Sequence, residues 1–522
     1  MALKKKTRKR ISIIVILLIS AVILIILLNV LKSKDEIKDF ELFTNNDLLV
    51  NIENNNINEL IEKNDNTSMI IGLVDIDTLN PILTKNIDVI NFSKIIYNSL
   101  FKYSVNMKLE KDLVEDYNYS SNKLHVKVKN DICWHNGDTF NAYDVEFTFN
   151  MIKKYGGIYA ESIKNIDKVE VIDDRTINFI ISNNSVEEQY NLTFPILSAK
   201  YYSTVDFEDA SINMKPNGTG LFMFEKYDNS IYSFIHYDKS NIKTQIQYID
   251  IKLFNNINDT FNSLKNKEID MFFTKVNNYD NYLGSIGYKH EEYIDNTFVF
   301  LGINMGNKHL SNINVRKAIS IAIDKEILNN KIFNGNMYIS QSLIHPNSYL
   351  YKSIDEIYDL DEAKKYIKSY SKNKISLNLL VNSNNKLNIS LAEELKNELN
   401  DIGITINMIL KNNFEYKIMI NEKNYDLVLA NYNVDVGNSI FKYKVDINDI
   451  FNLSNDNYIK MFDQNNLINS YYNIQEVIKK DIPYIGIGYC MNTILYNNNI
   501  YGVVNARYNN AFNNISEFYK KN

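Results

Sequence analysis

The sequence predicts an α/β body of more than one domain, carried behind an N-terminal membrane-spanning helix. Three observations predict it. Residues 375–432 alternate strand and helix patterns five times, and a β-α-β-α-β order implies right-handed crossovers and a largely parallel sheet. Residues 11–31 are an uncharged apolar run directly behind six cations. At 522 residues the chain exceeds one ordinary domain of roughly 150.

Residues 1–10 read MALKKKTRKR and residues 11–31 read ISIIVILLISAVILIILLNVL. About 20 apolar residues rising 1.5 Å each cross the ~30 Å hydrocarbon core. A secretory signal has a shorter apolar region of roughly 7–15 residues and a small-residue cleavage site; no A-x-A pattern follows here and no Cys ends the run. A long cleaved signal is the alternative. The positive-inside rule places residues 1–10 in the cytoplasm and the body outside the cell, on a single-pass anchor. Residues 32–66 are polar and Asn-rich and read as a stalk, with a short helix around Asn58–Glu62.

Along the body, Met69–Val74 is an apolar strand. Lys123–Lys129 alternates, with Leu124, Val126 and Val128 on one face, and reads as a half-exposed strand. Asn141 and Asp144 are placed to cap a helix bearing Val145, Phe149 and Ile152. Lys168–Ile172 and Thr176–Ile181 flank Asp173-Asp174-Arg175 as a hairpin. Val315, Ala318, Ile319, Ala322 and Ile323 mark a helix, and Asp359 with Glu362 caps another. In the 375–432 segment, Ile375–Val381 is a strand and Leu387–Ile402 a helix stopped by Gly403. Ile404–Met408 is the next strand, Phe414–Asn421 a helix and Tyr425–Tyr432 a strand. Ligands on such sheets sit at the carboxyl ends of strands, and Asp435 lies just beyond the last one.

Charge and motifs narrow the function. Beyond residue 10 the remaining 51 cations face 63 Asp and Glu, a net −12, which argues against nucleic acid as a partner. There is no G-x-x-x-x-G-K-[ST], H-E-x-x-H, C-x-x-C or G-x-S-x-G. The six histidines are scattered, so no metal or cofactor site and no catalytic residue is expected, and the chain reads as a non-enzyme. Cys133 and Cys490 leave room for one disulfide, which the sequence neither requires nor excludes. Trp134, the one tryptophan, lies in a polar turn and reads either as a structural anchor or as a wall of a ligand cleft. Asp435 reads either as a solvated turn residue or as a carboxylate for a buried cation.

Several segments, in order, resemble the family 5 extracellular solute-binding proteins, the oligopeptide and dipeptide receptors of ABC importers. They are Thr78-Leu79-Asn80-Pro81, Cys133 to Asp138, Ala142 to Thr148, and Asn217-Gly218-Thr219-Gly220. Val315-Arg316-Lys317-Ala318-Ile319 with Asp324-Lys325, Ile402-Gly403-Ile404 and Ile482-Pro483-Tyr484-Ile485 complete the set. The resemblance runs from about residue 69 to 520. It implies a two-lobe, periplasmic-binding-protein-like α/β fold of type II, in its large family 5 variant. Lobe one would be residues 67–298 with 485–522 returning to it, and lobe two 299–484. The crossings would fall at Phe298–Asn304 and Pro483–Tyr489.

The resemblance also implies a function: a membrane-anchored, monomeric receptor that captures short peptides between its lobes and delivers them to importer permease subunits. It puts Asp435 on the peptide ammonium and the main chain of Asn431, Tyr432 and Asn433 against the peptide backbone. A lobe-one edge at Lys85, Asn86 and Ile87 would take the other side, as strand addition. The chain departs from the family pattern at Asn431-Tyr432 and at Leu221, and no Lys or Arg lies between Asp426 and Phe441 to meet a peptide carboxylate. The alternatives are the same fold binding a non-peptide solute, and a tethered sensor or assembly protein without a transport role.

Overall fold

Two long antiparallel strands organise the molecule. The computed structural model describes residues 66–182, 188–276, 278–284, 287–353, 357–434, 467–508 and 510–521. The basic end, the apolar run 11–31, residues 32–65 of the stalk and Asp435 lie outside them. Among the described residues no helix is long and apolar enough to cross a membrane.

Eleven strands form one sheet. In chain order they are β1 Ser68–Val74, β2 Phe222–Asp228, β3 Ile231–His236, β4 Tyr248–Phe254, β5 Met271–Thr274, β6 Tyr288–Ile303, β7 Met337–Ile339, β8 Ile375–Asn382, β9 Ile404–Lys411, β10 Leu427–Asn433 and β11 Tyr484–Asn497. Across the sheet the order is β9-β8-β10-β6-β11-β5-β1-β4-β3-β2, with β7 also on β11. The expected parallel segment is present: β8 pairs parallel with both β9 and β10. Helix Lys386–Asp401 buries Leu391, Leu395 and Leu399 against it, and Gly403 follows at φ +89°.

β6 and β11 run together from Tyr288/Asn497 to Gly302/Tyr484, with register shifts between Ile294 and Phe298 and between Val299 and Phe300. Each strand feeds two cores. Tyr293, Ile494 and Tyr496 belong to the first-lobe core with β1 and β4. Val299, Leu301, Ile303, Ile485 and Ile487 belong to the second-lobe core with β8, β9 and β10. Between them, Phe298, Phe300, Tyr484 and Tyr489 pack as an aromatic cluster at the crossing. The crossings are thus unbroken strands rather than short connectors, because one 16-residue and one 14-residue strand bury side chains in both lobes.

Lobe one adds a four-stranded antiparallel sheet in the order Val114–Ser120, Lys123–Val128, Thr176–Ile181, Ile166–Asp173. The last two strands are the expected hairpin. The helix capped by Asn141 runs Ala142–Tyr155 with a full capping box. Two of the sequence motifs act as braces. Gly218 and Gly220 lie so close to helix Ile87–Ile96 that a Cβ would meet the carbonyls of Ile96 and Ile95 at 1.9 and 2.6 Å. In lobe two, Arg316 is buried and donates to Asp481 O at 3.0 and 2.8 Å and to Leu310 O at 2.8 Å. That ties helix Ile313–Ala322 to the residues leading into β11. Cys133 and Cys490 are both free thiols.

Candidate ligand-binding site

Helix Ile87–Ile96 starts at the carboxyl end of β1, where parallel neighbours leave room for ligands. Asn86 caps it, accepting from the amides of Asp88 and Val89 at 2.8 and 3.4 Å. The same side chain donates to Val74 O and Asp75 O at 2.7 and 3.0 Å, fastening the helix to β1. Val89, Phe92 and Ile96 enter the lobe-one core, which leaves Ile87, Ile90 and Lys94 to face a cavity of about 800 Å³. Its other walls are Asp295–Thr297 of β6, Asn433 and Val434 at the end of β10, and the C-terminal segment around Arg507. That volume is within the roughly 300–1,000 Å³ of small-molecule sites.

Both signs of charge line the cavity. Asp295 is 2% exposed. It accepts from Asn296 N at 2.7 Å and pairs with Lys275 at 3.2 Å. Asp88, in the first turn of the helix, is pushed up to about 7 by burial, with Lys275 and the Val74 amide opposing. Lys94 is pulled down to about 8, first by loss of hydration and further by Arg507, while Asp112 works the other way. Burial also lowers Arg507, to about 10. Behind Asp295, buried His345 is held at about 4 by desolvation. Its Nδ1 accepts from Asn347 N at 3.2 Å, so Nε2–H donates to Asp295 O at 3.3 Å. Among the described residues no three His, Cys, Asp or Glu side chains cluster to hold a metal ion.

The structure distributes the sequence-predicted residues unevenly. Asn433 lines the cavity, and Asn431 and Tyr432 precede it on β10. β6 holds one edge of β10 from Leu427 to Asn433, while β8 accompanies the other edge only to Val428. Asp435 lies outside the described residues, one position past Val434. Lys85 and Ile87 line the cavity, but the expected lobe-one edge is corrected: this segment is a helix start, not a strand. The amides of Lys85 and Asn86 are already bound by Asp77 Oδ2 and Thr84 Oγ1, at 2.8 and 3.0 Å. Of the two readings of Trp134, its surroundings match the structural anchor. It is 1% exposed inside lobe one and donates from Nε1 to Asp144 Oδ2 at 3.1 Å.

Lys94, Lys275, Asp295 and Arg507 were not singled out by the sequence, because they come from four distant segments. Two signals were present. Lys94 is the single cation in the helix sequence IDVINFSKII, and Arg507 is one of three arginines after residue 66.

The comparisons with known proteins agree with this architecture. The model of the bacterial extracellular solute-binding proteins, family 5 Middle, matches residues 108–444. The oligopeptide-binding protein AppA of Bacillus subtilis (strain 168) is 22% identical over 370 residues, covering 65% of this chain and 68% of the relative. HbpA2 from Haemophilus parasuis superposes with a TM-score of 0.73 at 17% identity, over 87% of this chain and 100% of that one. The structure of Bacillus subtilis AppA in complex with a nonapeptide superposes with a TM-score of 0.58 at 19% identity, over 87% and 99%. A two-lobe fold joined by shared strands, a cleft lined from both lobes and a family match over more than half the sequence converge: the chain belongs to the bacterial extracellular solute-binding proteins, family 5.

Proposed function

We propose that the protein captures short peptides in the cleft between its lobes and delivers them to an ABC importer, acting as a monomer. The observation that carries this reading is the cavity itself. Main chain at the end of β10, the buried carboxylate of Asp295 and the cations Lys94 and Arg507 all border one space. A peptide offers the complementary set: backbone amides, an ammonium and a carboxylate. A relative named for oligopeptide binding, and its structure with a nonapeptide, support the same ligand class.

In this reading Asp435 takes the peptide ammonium, since it follows Val434, itself on the cavity wall. The main chain of Asn431 and Asn433, with Tyr432 between them, pairs with the peptide on the side of β10 that β8 leaves beyond Val428. Such main-chain bonds give affinity without side-chain selection, and a desolvated ammonium–carboxylate contact fixes register. The apolar run 11–31 anchors the body outside the cell, with residues 1–10 in the cytoplasm.

Native mass spectrometry of the full-length chain, purified without refolding, tests this. Peptide masses that leave on denaturation are the expected result, and Asp435→Ala should abolish them while leaving the thermal midpoint nearly unchanged. A single non-peptide mass would instead favour another solute. An empty protein that a peptide mixture fails to stabilise would favour the tethered sensor or assembly role.

A further inference from the structure

A two-stranded hairpin reaches from lobe one to lobe two beside the cavity. Its strands, Phe101–Tyr103 and Leu109–Lys111, pair with each other as a sheet of two. The base is rooted in lobe one. Phe101 is buried in that core and its amide donates to Leu192 O at 3.1 Å, while Tyr103 Oη donates to Tyr190 O at 2.7 Å. The tip is folded by its own bonds. Ser104 N donates to Lys108 O at 2.9 Å and Met107 N to Ser104 O at 3.0 Å, with Met107 at φ +59°. Tyr103, Ser104, Val105 and Met107 line the cavity.

The tip lands on a turn of lobe two. Tyr349 N donates to Asn106 O at 3.1 Å, and Lys108 Nζ stands 5.6 Å from the centre of the Tyr349 ring. Met107 is 2% exposed, so the tip is packed rather than solvated. The receiving turn is held on its own side. Ser348 N donates to His345 O and Tyr351 N to Ser348 O, both at 2.9 Å. Gln475 Nε2, on helix Leu467–Asp481, donates to Leu350 O at 3.0 Å, and Leu350 is buried with Phe298 and Val434. Hairpin and turn are each fastened to their own lobe, so their contact exists only while the lobes stand close. Asn106, Lys108 and Tyr349 themselves stand outside the cavity lining.

We propose that the hairpin Phe101–Lys111 is a strap that fastens lobe one to lobe two over a captured peptide. This rests on the peptide reading above and adds a contact that the protein makes with itself rather than with the ligand. When the lobes part, Asn106 O and the Tyr349 amide return to water, so the bond between them has a modest net worth. The Lys108 ammonium on the Tyr349 ring adds a cation–π contact at the same place. Together they strengthen binding about tenfold. Because the fastening groups do not touch the ligand, the gain is the same for every peptide and falls on its dissociation.

The test offers the full-length chain a random tripeptide pool. Hydrogen exchange of the Tyr349 amide is followed with and without the pool, and bound peptides are weighed by native mass spectrometry. In wild type the pool should slow that exchange about tenfold or more. Replacing residues 104–108 by Asn-Gly closes a two-residue hairpin between Tyr103 and Leu109 and removes the tip. That variant should show no slowing and bind the pool about tenfold more weakly, evenly across its masses. Lys108→Met should weaken binding about threefold, again evenly. If the shortened hairpin does not fold, Lys108→Met alone decides. Peptides that bind wild type without slowing Tyr349 exchange would overturn the strap and leave the peptide reading standing. Slowing that survives the shortened hairpin, or unchanged affinity in Lys108→Met, would also overturn it. A loss confined to some peptide masses would show that these groups contact the ligand, and would overturn it too. Binding of no peptide by wild type would overturn the peptide reading and the strap together.

Discussion

At Trp134 the indole N–H and the Asp144 carboxylate satisfy one another inside lobe one. Asp144 also accepts from Asn141 N at 2.9 Å and Ala199 N at 2.8 Å, so one buried carboxylate joins the turn, the helix Ala142–Tyr155 and the segment after it. Trp134→Phe removes one of three donors and leaves a void, and should cost about 2–3 kcal/mol in denaturant unfolding. Ligand affinity should not change, which separates a core residue from a cleft wall. Glu398 makes a different prediction. Its Oε2 is buried without a hydrogen-bond partner among the described residues. Burial, reinforced by Asp324 and Glu394, raises it from 4.5 to about 8. The folded protein therefore keeps a proton that the unfolded chain releases, and stability declines as pH rises from about 4.5 to about 8. Glu398→Gln should melt above wild type at pH 8 and converge with it below pH 4.5, as followed by thermal scans across that window. Neither outcome was legible in the sequence, because a lone Trp or Glu carries no record of its neighbours.

The elements that sequence periodicity described well are those with one buried face. Helix Lys386–Asp401 and strands β8 and β10 stand within two residues of the expected limits, and β9 begins where expected and runs three residues further, to Lys411. β6 and β11 were legible only in their crossing halves. Those halves are buried on both faces, so alternation is lost there and the family resemblance, not periodicity, placed them. Glycines mark where β11 must be approached closely. A Cβ at Gly488 would lie 2.4 Å from Tyr338 O and 2.8 Å from Met337 Cγ, on β7. Gly488→Ala must push β7 off β11 and should lower stability by about 1–3 kcal/mol. Gly335→Ala, at φ +81° with nothing within 4 Å, should cost only about 1 kcal/mol. Chemical denaturation of the two variants side by side distinguishes backbone crowding from backbone strain.

For the whole molecule, two cores share two strands, and the β6–β11 pairing shifts register between them, from Ile294 to Phe300. A ligand that bridges the lobes should close them. Small-angle X-ray scattering should then show a smaller radius of gyration with a tripeptide pool than without, and an unchanged value would contradict closure on ligand. At a hundredfold excess over the dissociation constant the bound state should gain about 2.7 kcal/mol, seen as a rise in thermal midpoint. The sequence by itself determined the α/β class, the parallel segment of lobe two, the family and the strand that ends at Asn433, because periodicity and ordered motifs are local and survive without coordinates. Only the tertiary structure decided that Trp134 is core, that Lys85–Ile87 begins a helix, and that Lys94, Lys275, Asp295 and Arg507 meet around one cavity. Those residues are brought together by sheet order and by the return of the chain's end to lobe one, and no local spacing encodes either.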